Sequence, residues 1–272
     1  MVRDAGPRDG EDTGLMLEEI RGELSRIEKE HDVRILLAVE SGSRAWGFAS
    51  KDSDWDVRYI YIHRLDWYLR IDQYKDSQEE ILPNEIDLSG WELRKALGLF
   101  RKSNPPLLEW LQSPIVYLEQ FSTADVLRDL SQKYFNPRSC MYHYLSMAKG
   151  NFNEFLKDRD RVKIKKYFYV LRPVLACDWI ENRNQFPPME FEKLVDSQVK
   201  DVEVRQAIDT LLERKIAGEE LNEEPRVDVL NDFLSKKIDF YSEHIGEIDT
   251  IDRPQTEILD DLFRATLSEV WN

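Results

Sequence analysis

The sequence predicts an α+β fold, in which a small mixed β-sheet with flanking helices is followed by an α-helical domain. Two observations lead to this prediction. Short apolar or alternating runs, which are typical of strands, occur only up to about residue 118. From residue 122 onward, apolar residues recur at helical spacing. We therefore expect a disordered tail at 1–13, a sheet-containing domain at 14–120 and a helical domain at 121–272.

Each element follows from its local pattern. Apolar residues every three or four positions predict an amphipathic helix over 15–30 that packs on the sheet. Residues 34–39 are apolar nearly throughout, as in a strand that is covered on both faces. Further strands are predicted at 57–62, 84–88 and 115–118. Further helices are predicted at 91–102, 107–111, 122–133, 137–156, 161–181, 198–217, 226–245 and 254–270.

The charge of the chain limits its partners. Asp and Glu number 53 against 38 Lys and Arg, which gives a net charge of −15. Such a surface repels nucleic acid at long range and argues against an extended duplex-binding groove. One segment has the opposite sign: residues 157–172 contain seven bases and two acids, a local net charge of +5. A nucleic-acid partner would have to bind at a local basic patch of this kind.

Other features indicate a soluble, cytoplasmic protein. No apolar run approaches the roughly 20 residues that a membrane span needs, and no signal peptide opens the chain. Cys140 and Cys177 lack the spacing of a zinc site or of a disulfide framework. We expect both to be reduced, buried thiols. No membrane partner is predicted.

The segment 35–62 carries the first chemical signal. Its apolar run ends at Gly42 and Ser43, where glycine lets the backbone turn sharply. Ser43 and the amides that follow would open a helix at a place suited to phosphate oxygens. An ordinary strand-to-helix turn has the same residues, so this pair alone does not decide between the two.

Acidic residues follow on two predicted strands. Asp54 and Asp56 are two positions apart and leave the same face of a strand, where they repel each other unless a cation lies between them. Mg²⁺ suits such a pair of carboxylates. Glu85 and Asp87 share one face of a neighbouring strand, and either could complete the site. The alternative is a polar turn whose aspartates cap backbone amides.

The helical domain offers one candidate binding face. Lys165, Tyr169 and Arg172 are spaced to share a face of the predicted helix 161–181. A cationic face with an aromatic ring could bind a triphosphate and stack on a base or sugar. The alternative is a solvated basic face that balances acidic helices elsewhere. The helices after residue 196 carry no recognisable motif.

These motifs together resemble the DNA polymerase beta-like nucleotidyltransferase superfamily. The resemblance rests on Gly42-Ser43, on Asp54-Trp55-Asp56 and on the later Asp87. The longer string from Glu40 to Phe48, with Asp52 to Arg58, is similar to the YcgL-like, RNA-repair-associated branch. The resemblance implies that the domain at 14–120 transfers a nucleoside monophosphate from a nucleoside triphosphate to an acceptor hydroxyl, with release of pyrophosphate.

The resemblance also assigns roles by position. Gly42 and Ser43 would hold the β- and γ-phosphates, while Arg44 and Arg58 would either meet phosphate or pair with a nearby acid. A helix of the second domain binds nucleotide in related enzymes, which supports the face described above.

For the acids, the resemblance implies a two-metal site. Asp54 and Asp56 would ligate both Mg²⁺ ions, with Mn²⁺ as an alternative metal. Asp87 would ligate the catalytic ion and help to deprotonate the acceptor.

The acceptor and one rival function stay open. An RNA 3′ end fits the suspected branch, and a protein hydroxyl or a small molecule fits the acidic surface equally well. The rival is a non-catalytic nucleotide-sensing or protein-interaction module that retains the fold, and loss of a carboxylate would be its signature. A second rival is a helical scaffold with a structural acidic cluster. All three carboxylates are present, which favours the enzyme.

Overall fold

A five-stranded mixed sheet is the centre of the fold. The structure is a computed structural model that describes residues 10–219, 222–251 and 255–272. The strand order is β3-β4-β2-β1-β5, in which β2 and β4 run parallel and the other neighbours run antiparallel. This sheet confirms the predicted α+β class. The strands are β1 (Val33–Glu40), β2 (Trp55–His63), β3 (Ser77–Ile81), β4 (Ile86–Glu92) and β5 (Val116–Glu119).

Helices cover both faces of this sheet. Helix α1 (Gly10–His31) buries Ile20, Leu24 and Ile27 against one face. The apolar residues of α4 (Leu93–Arg101) and α5 (Pro105–Gln112) pack against the other. Burial on both faces explains why β1 is apolar nearly throughout. Helix α1 begins five residues before the predicted start, and residues 1–9 of the predicted tail lie outside the described residues.

The chain after β5 is mainly helical, as predicted. It also contains a pair of short antiparallel strands and a 3₁₀ turn at Ile245–Glu247. The helices are α6 (Thr123–Tyr134), α7 (Pro137–Phe155), α8 (Lys166–Arg183), α9 (Phe191–Gln198), α10 (Val202–Ile216), α11 (Asp228–His244) and α12 (Glu257–Trp271), and the short strands are β6 (Arg161–Lys163) and β7 (Glu223–Pro225).

Two helix predictions in this part were wrong at their starts. The predicted helix 161–181 begins only at Lys166, because Arg161 and Lys163 are exposed on either side of the buried Val162 and the three residues pair with β7 as a strand. The predicted helix 198–217 begins at Val202. Its start is fixed by Asp201, whose side chain accepts hydrogen bonds from the first turn of α10.

The long interval between β2 and β4 contains elements that sequence patterns did not indicate. Helix α3 (Leu65–Tyr68) follows β2, whereas helix α2 (Ser43–Trp46) precedes β2 and begins at Ser43, as predicted. Strand β3 then runs antiparallel to β4 at the edge of the sheet. The interval is therefore an extra helix and an edge strand, and β4 still lies directly beside β2.

The sheet and the helices share a continuous apolar core. One cluster of buried residues reaches from Leu36 in β1 to Leu262 in α12. Helix α12 returns to the first half of the chain, where Trp271 Nε1 donates to the His63 carbonyl at 2.9 Å. Arg101 of α4 donates to Thr256, just before α12, at 2.6 Å. The boundary at residue 120 stays a prediction, and contacts across it are extensive.

Two further features concern composition. Cys140 and Cys177 are free and buried, as predicted. Among the described helices, none is long and apolar enough to cross a membrane.

Candidate active site

The turn after β1 places Gly42 against Asp56. A Cβ atom at Gly42 would lie 1.8 Å from Oδ2 of Asp56, far inside contact distance. The backbone of Gly42 has φ −96° and ψ −151°, which any residue can adopt. Glycine is therefore required here by the close approach of a carboxylate, and the turn itself does not demand it. Ser43 follows as the first residue of α2.

Two predicted carboxylates lie side by side on neighbouring parallel strands. Asp56 of β2 is the register partner of Asp87 of β4. Arg58 joins them, because its Nη2 donates to Asp56 Oδ1 at 3.0 Å and to Asp87 Oδ2 at 2.8 Å. Nη1 of Arg58 also donates to the Asp87 carbonyl at 2.8 Å. The structure therefore brings Asp56 and Asp87 together and pairs Arg58 with local acids, which was one of its two predicted roles.

Burial makes Asp56 a weaker acid than an ordinary aspartate. Desolvation raises the pKa of Asp56, and the nearby charges of Asp87 and Asp54 raise it further, while Arg58 opposes them. Asp54 lies just before β2 and is exposed. Asp54 and Asp87 thus both repel the charge of Asp56, and a bound cation would relieve this repulsion.

The competing acid, Glu85, has a different position. It lies in the turn before β4 with φ 66° and is exposed, and its carbonyl accepts a hydrogen bond from Trp55 N at 2.9 Å. Glu85 and Asp87 therefore do not share a strand face as predicted, because the strand begins only at Ile86. Of the two, Asp87 is the acid that lies beside Asp56.

Glu40 is a buried acid that sequence reasoning missed, and it holds the backbone of this site in place. Glu40 is 0% exposed, and its Oε1 accepts hydrogen bonds from Gly42 N at 3.0 Å and Asp56 N at 3.1 Å. The Tyr117 hydroxyl donates to the other oxygen. Burial raises the pKa of Glu40. The Glu40 side chain thus connects the turn at Gly42 to the strand that carries Asp56. Its signal in the sequence was an acid at the end of an apolar strand.

Arg44 holds the loop that precedes β2. Its guanidinium donates to the Ser53 carbonyl at 2.7 Å and to the Asp54 carbonyl at 3.2 Å, and it lies 3.7 Å from the centre of the Trp55 ring. Burial lowers the pKa of Arg44, while the acids around it, Asp56 among them, have the opposite effect. Arg44 therefore lies beside the loop that carries Asp54, and its predicted contact with phosphate stays a prediction.

Of the predicted basic face of the helical domain, Tyr169 lies close to Asp54 and Asp56. Tyr169 is 45% exposed and packs edge-on against Trp46 of α2, with ring centres 6.0 Å apart. Burial raises the pKa of Tyr169, and the charges of Asp56 and Asp54 raise it further. Tyr169 therefore lies near Asp54 and Asp56. Lys165 is exposed and occupies the N-cap position of α8, where its side chain makes no capping hydrogen bond. We refer to the region between α8 and the acids Asp54 and Asp56 as the cleft.

Arg172 does not belong to that face, and this prediction was wrong. The side chain is 4% exposed and forms a buried ion pair with Glu109 of α5, with Nη1 to Oε1 at 2.8 Å. Tyr144 donates to the same Glu109 oxygen at 2.6 Å, and the guanidinium lies 4.8 Å from the Trp46 ring centre. Helical spacing put Arg172 beside Tyr169, whereas the packing of α8 on α5 puts it in the core.

The acids suit a hard divalent cation by their chemistry. Carboxylate oxygens are the ligands that Mg²⁺ takes in proteins, and Asp56 and Asp87 converge on one nitrogen of Arg58. In the described ranges, no group of three or more His, Cys, Asp or Glu side chains stands close enough to form a ready metal cage. The donors therefore fit Mg²⁺ in type, while Arg58 supplies the positive charge between two of them.

Comparison with known proteins agrees with the sequence motifs. The model of the RNA repair pathway DNA polymerase beta family, RlaP, matches residues 16–265. The protein YcgL of Bacillus subtilis (strain 168) is 50% identical over 256 residues, which cover 94% of this chain and 98% of YcgL. A nucleotidyltransferase-like protein from Exiguobacterium sibiricum 255-15 is 13% identical with a TM-score of 0.34, covering 85% of this chain and 77% of that one.

Proposed function

Because the chain belongs to the RNA repair pathway DNA polymerase beta family, we propose that it is a Mg²⁺-dependent nucleotidyltransferase that acts on an acceptor hydroxyl. The observation that carries this proposal is the pairing of Asp56 with Asp87 on parallel strands, directly beside Gly42. Family membership supports the general nucleotidyltransferase role. The identities of the metal, the nucleotide and the acceptor are our proposals beyond this general role.

The proposed reaction makes one bond and breaks one. The acceptor oxygen bonds to the α-phosphorus of the nucleoside triphosphate, and the bond from that phosphorus to the departing pyrophosphate breaks. The hydroxyl proton passes to a carboxylate, for which Asp87 is the candidate. No covalent enzyme intermediate is needed, so the rate depends on alignment and charge.

Different residues would bind the metal ions and the phosphates. Asp54, Asp56 and Asp87 would hold the ions, and Gly42 and Ser43 would lie against the phosphates. When bound, Mg²⁺ supplies positive charge that offsets the developing charge on the phosphate oxygens. Arg58 engages one oxygen of each carboxylate, so an ion would bind at the other oxygens or take the place of Arg58.

Tyr169 and Lys165 support a nucleotide position in the cleft. The Tyr169 ring is fixed by Trp46 yet nearly half exposed, which suits stacking on a base or sugar. Lys165 would add a positive charge for phosphate. The acceptor would enter from the exposed side of the carboxylates. An RNA 3′ end fits the family description, while a protein or small-molecule hydroxyl also fits the acidic surface.

The experiment is turnover with labelled substrates. The purified protein is incubated with Mg²⁺, each α-labelled nucleoside triphosphate, and either an RNA with a free 3′ hydroxyl or a protein acceptor. We expect pyrophosphate release and labelled acceptor for the wild type and for Glu85→Gln, and loss of both for Asp56→Asn and Asp87→Asn. Equal turnover in Asp56→Asn would refute the mechanism. Metal-dependent nucleotide binding without turnover on any acceptor would favour the non-catalytic, nucleotide-sensing module.

A further inference from the structure

Lys215, near the end of α10, reaches across to the loop that precedes the aspartate strand. Its Nζ donates to Ser50 Oγ at 3.0 Å and to Ser53 Oγ at 3.4 Å. Ser53 is next to Asp54, so this ammonium lies one residue away from the carboxylate motif. Lys215 is half-buried. A residue from a helix without any recognisable motif thus contributes to the cleft.

The partners of this ammonium are unusual for a charged group. Both hydroxyls are neutral, and within residues 10–219, 222–251 and 255–272 no carboxylate forms an ion pair with Lys215. Removing a charge from water is unfavourable, so a half-buried ammonium that is hydrogen-bonded only to neutral hydroxyls is suited to an anionic guest.

Other cations surround the same point. Burial lowers the pKa of Lys215, and the charges of Lys165 and Arg44 lower it further, while Asp54 and Asp52 act in the opposite direction. Lys165, at the start of α8, and Arg44, in α2, are therefore both close enough to repel the Lys215 ammonium. A group of cations of this kind attracts an anion.

The hydroxyl pair is fixed in place before any ligand arrives. Ser50 and Ser53 are 9% and 7% exposed, and their Oγ atoms are 3.1 Å apart. Ser50 N also donates to Ser53 Oγ at 3.0 Å, and Arg44 holds the Ser53 carbonyl from the other side. The loop thus presents two ordered hydroxyls, which can donate to phosphate oxygens as well as accept from an ammonium.

We propose that Lys215, with the hydroxyls of Ser50 and Ser53, forms an anion subsite for the phosphate groups of the nucleoside triphosphate. The subsite deepens the proposed function and rests on it for the identity of the ligand. On binding, the ammonium exchanges the two hydroxyls for phosphate oxygens, and Lys165 and Arg44 add to the attraction. Lysine suits this task because it acts as a compact point charge toward phosphate.

The test uses inorganic tripolyphosphate with Mg²⁺, measured by calorimetry on the full chain. We expect Lys215→Met to weaken binding about tenfold or more, as for loss of a charged hydrogen bond. Lys215→Arg, which keeps the charge, should stay within about threefold of the wild type. Lys236→Met, at an exposed lysine of α11, makes the same change in net charge and should bind like the wild type. Urea unfolding of each variant shows that the fold is kept.

The outcomes separate the subsite from the enzymatic function. Wild-type tripolyphosphate binding in the Lys215→Met variant overturns the subsite, even if Asp56-dependent turnover is intact. Absence of tripolyphosphate binding by the wild type overturns it as well. Lys215-dependent binding of tripolyphosphate in a protein that transfers nothing to any acceptor supports the subsite and refutes the proposed reaction.

Discussion

The contact between Gly42 and Asp56 gives the sharpest prediction. In Gly42→Ala the new Cβ would lie 1.8 Å from Asp56 Oδ2 and 2.6 Å from its Cγ, where ordinary contact begins at 3.4 Å. The carboxylate must therefore move by more than 1 Å or leave its rotamer. A displacement of that size at a reacting centre can lower the rate about 100-fold, which corresponds to about 2.7 kcal/mol of transition-state stabilisation. We expect kcat/KM for nucleotide transfer to fall by at least that factor.

The effect on stability should be smaller than the effect on activity. Because Gly42 has a negative φ, alanine brings no backbone strain there and restricts the unfolded chain, a gain of about 0.4–1 kcal/mol. Overpacking against Asp56 opposes this gain by about 1–3 kcal/mol. The assay pairs steady-state kinetics with urea unfolding of the same preparation.

Gly47 provides the matched control. It caps α2 with φ 87°, and a Cβ there would meet no atom within 4 Å. Gly47→Ala should therefore cost about 1–2 kcal/mol of stability through backbone strain and leave kcat/KM unchanged. Adding Asp56→Ala to Gly42→Ala should remove most of the stability loss, because only the Asp56 Cβ then remains near, at 3.0 Å. Full activity in Gly42→Ala, or an equal loss in Gly47→Ala, would refute the reasoning.

Three further predictions follow from buried or paired charges. Arg172→Met should lower the free energy of unfolding by about 3–5 kcal/mol, because Glu109 is left as a buried, unpaired acid. The nucleotide KM of the folded protein should not change. A large rise in KM would show that Arg172 belongs to the binding site after all. Glu40→Gln should stabilise the protein at neutral pH, because burial raises the pKa of Glu40. The contribution of a group with a raised folded pKa is present in acid and is lost as the pH rises through that pKa, so unfolding curves of wild type and variant should converge in acid and separate above it. Arg58→Gln should destabilise the metal-free protein by about 1 kcal/mol. Mg²⁺ should reduce this loss of stability if it binds between Asp56 and Asp87. A loss of stability that does not depend on Mg²⁺ would count against a metal at this place.

The sheet and its two aspartates could be predicted because their signals are local. An apolar run, a glycine turn and acids two positions apart report directly on strand faces, since side chains alternate along a strand. The pairing of Asp56 with Asp87 was expected from an acid at the start of a second strand. The edge strand β3 was missed because its sequence, Ser77–Ile81, is mostly polar and exposed.

The remaining site residues depend on contacts far apart in the chain. Arg172 meets its partner Glu109 63 residues away, and Lys215 meets Ser50 165 residues away. Helical periodicity gives the face of a residue on its own helix, but it does not say which element covers that face. For this reason spacing placed Arg172 on the surface and left Lys215 unnoticed in a helix without a recognisable motif.

The two halves of the chain contribute opposite charges to one cleft, and the proposed reaction needs both. The sheet supplies the carboxylates of Asp56 and Asp87, which would hold the proposed Mg²⁺ ions and which repel a triphosphate. The helical half supplies Lys165 and Lys215, which attract a triphosphate but would not bind Mg²⁺. Since the chain as a whole carries a charge of −15, nucleotide binding depends on holding these lysines against the sheet. The buried pair of Arg172 with Glu109 joins α8 to α5 and so maintains that arrangement. Removal of this pair should therefore lower the free energy of unfolding and leave nucleotide binding by the folded protein unchanged, because Arg172 itself does not contact the substrate.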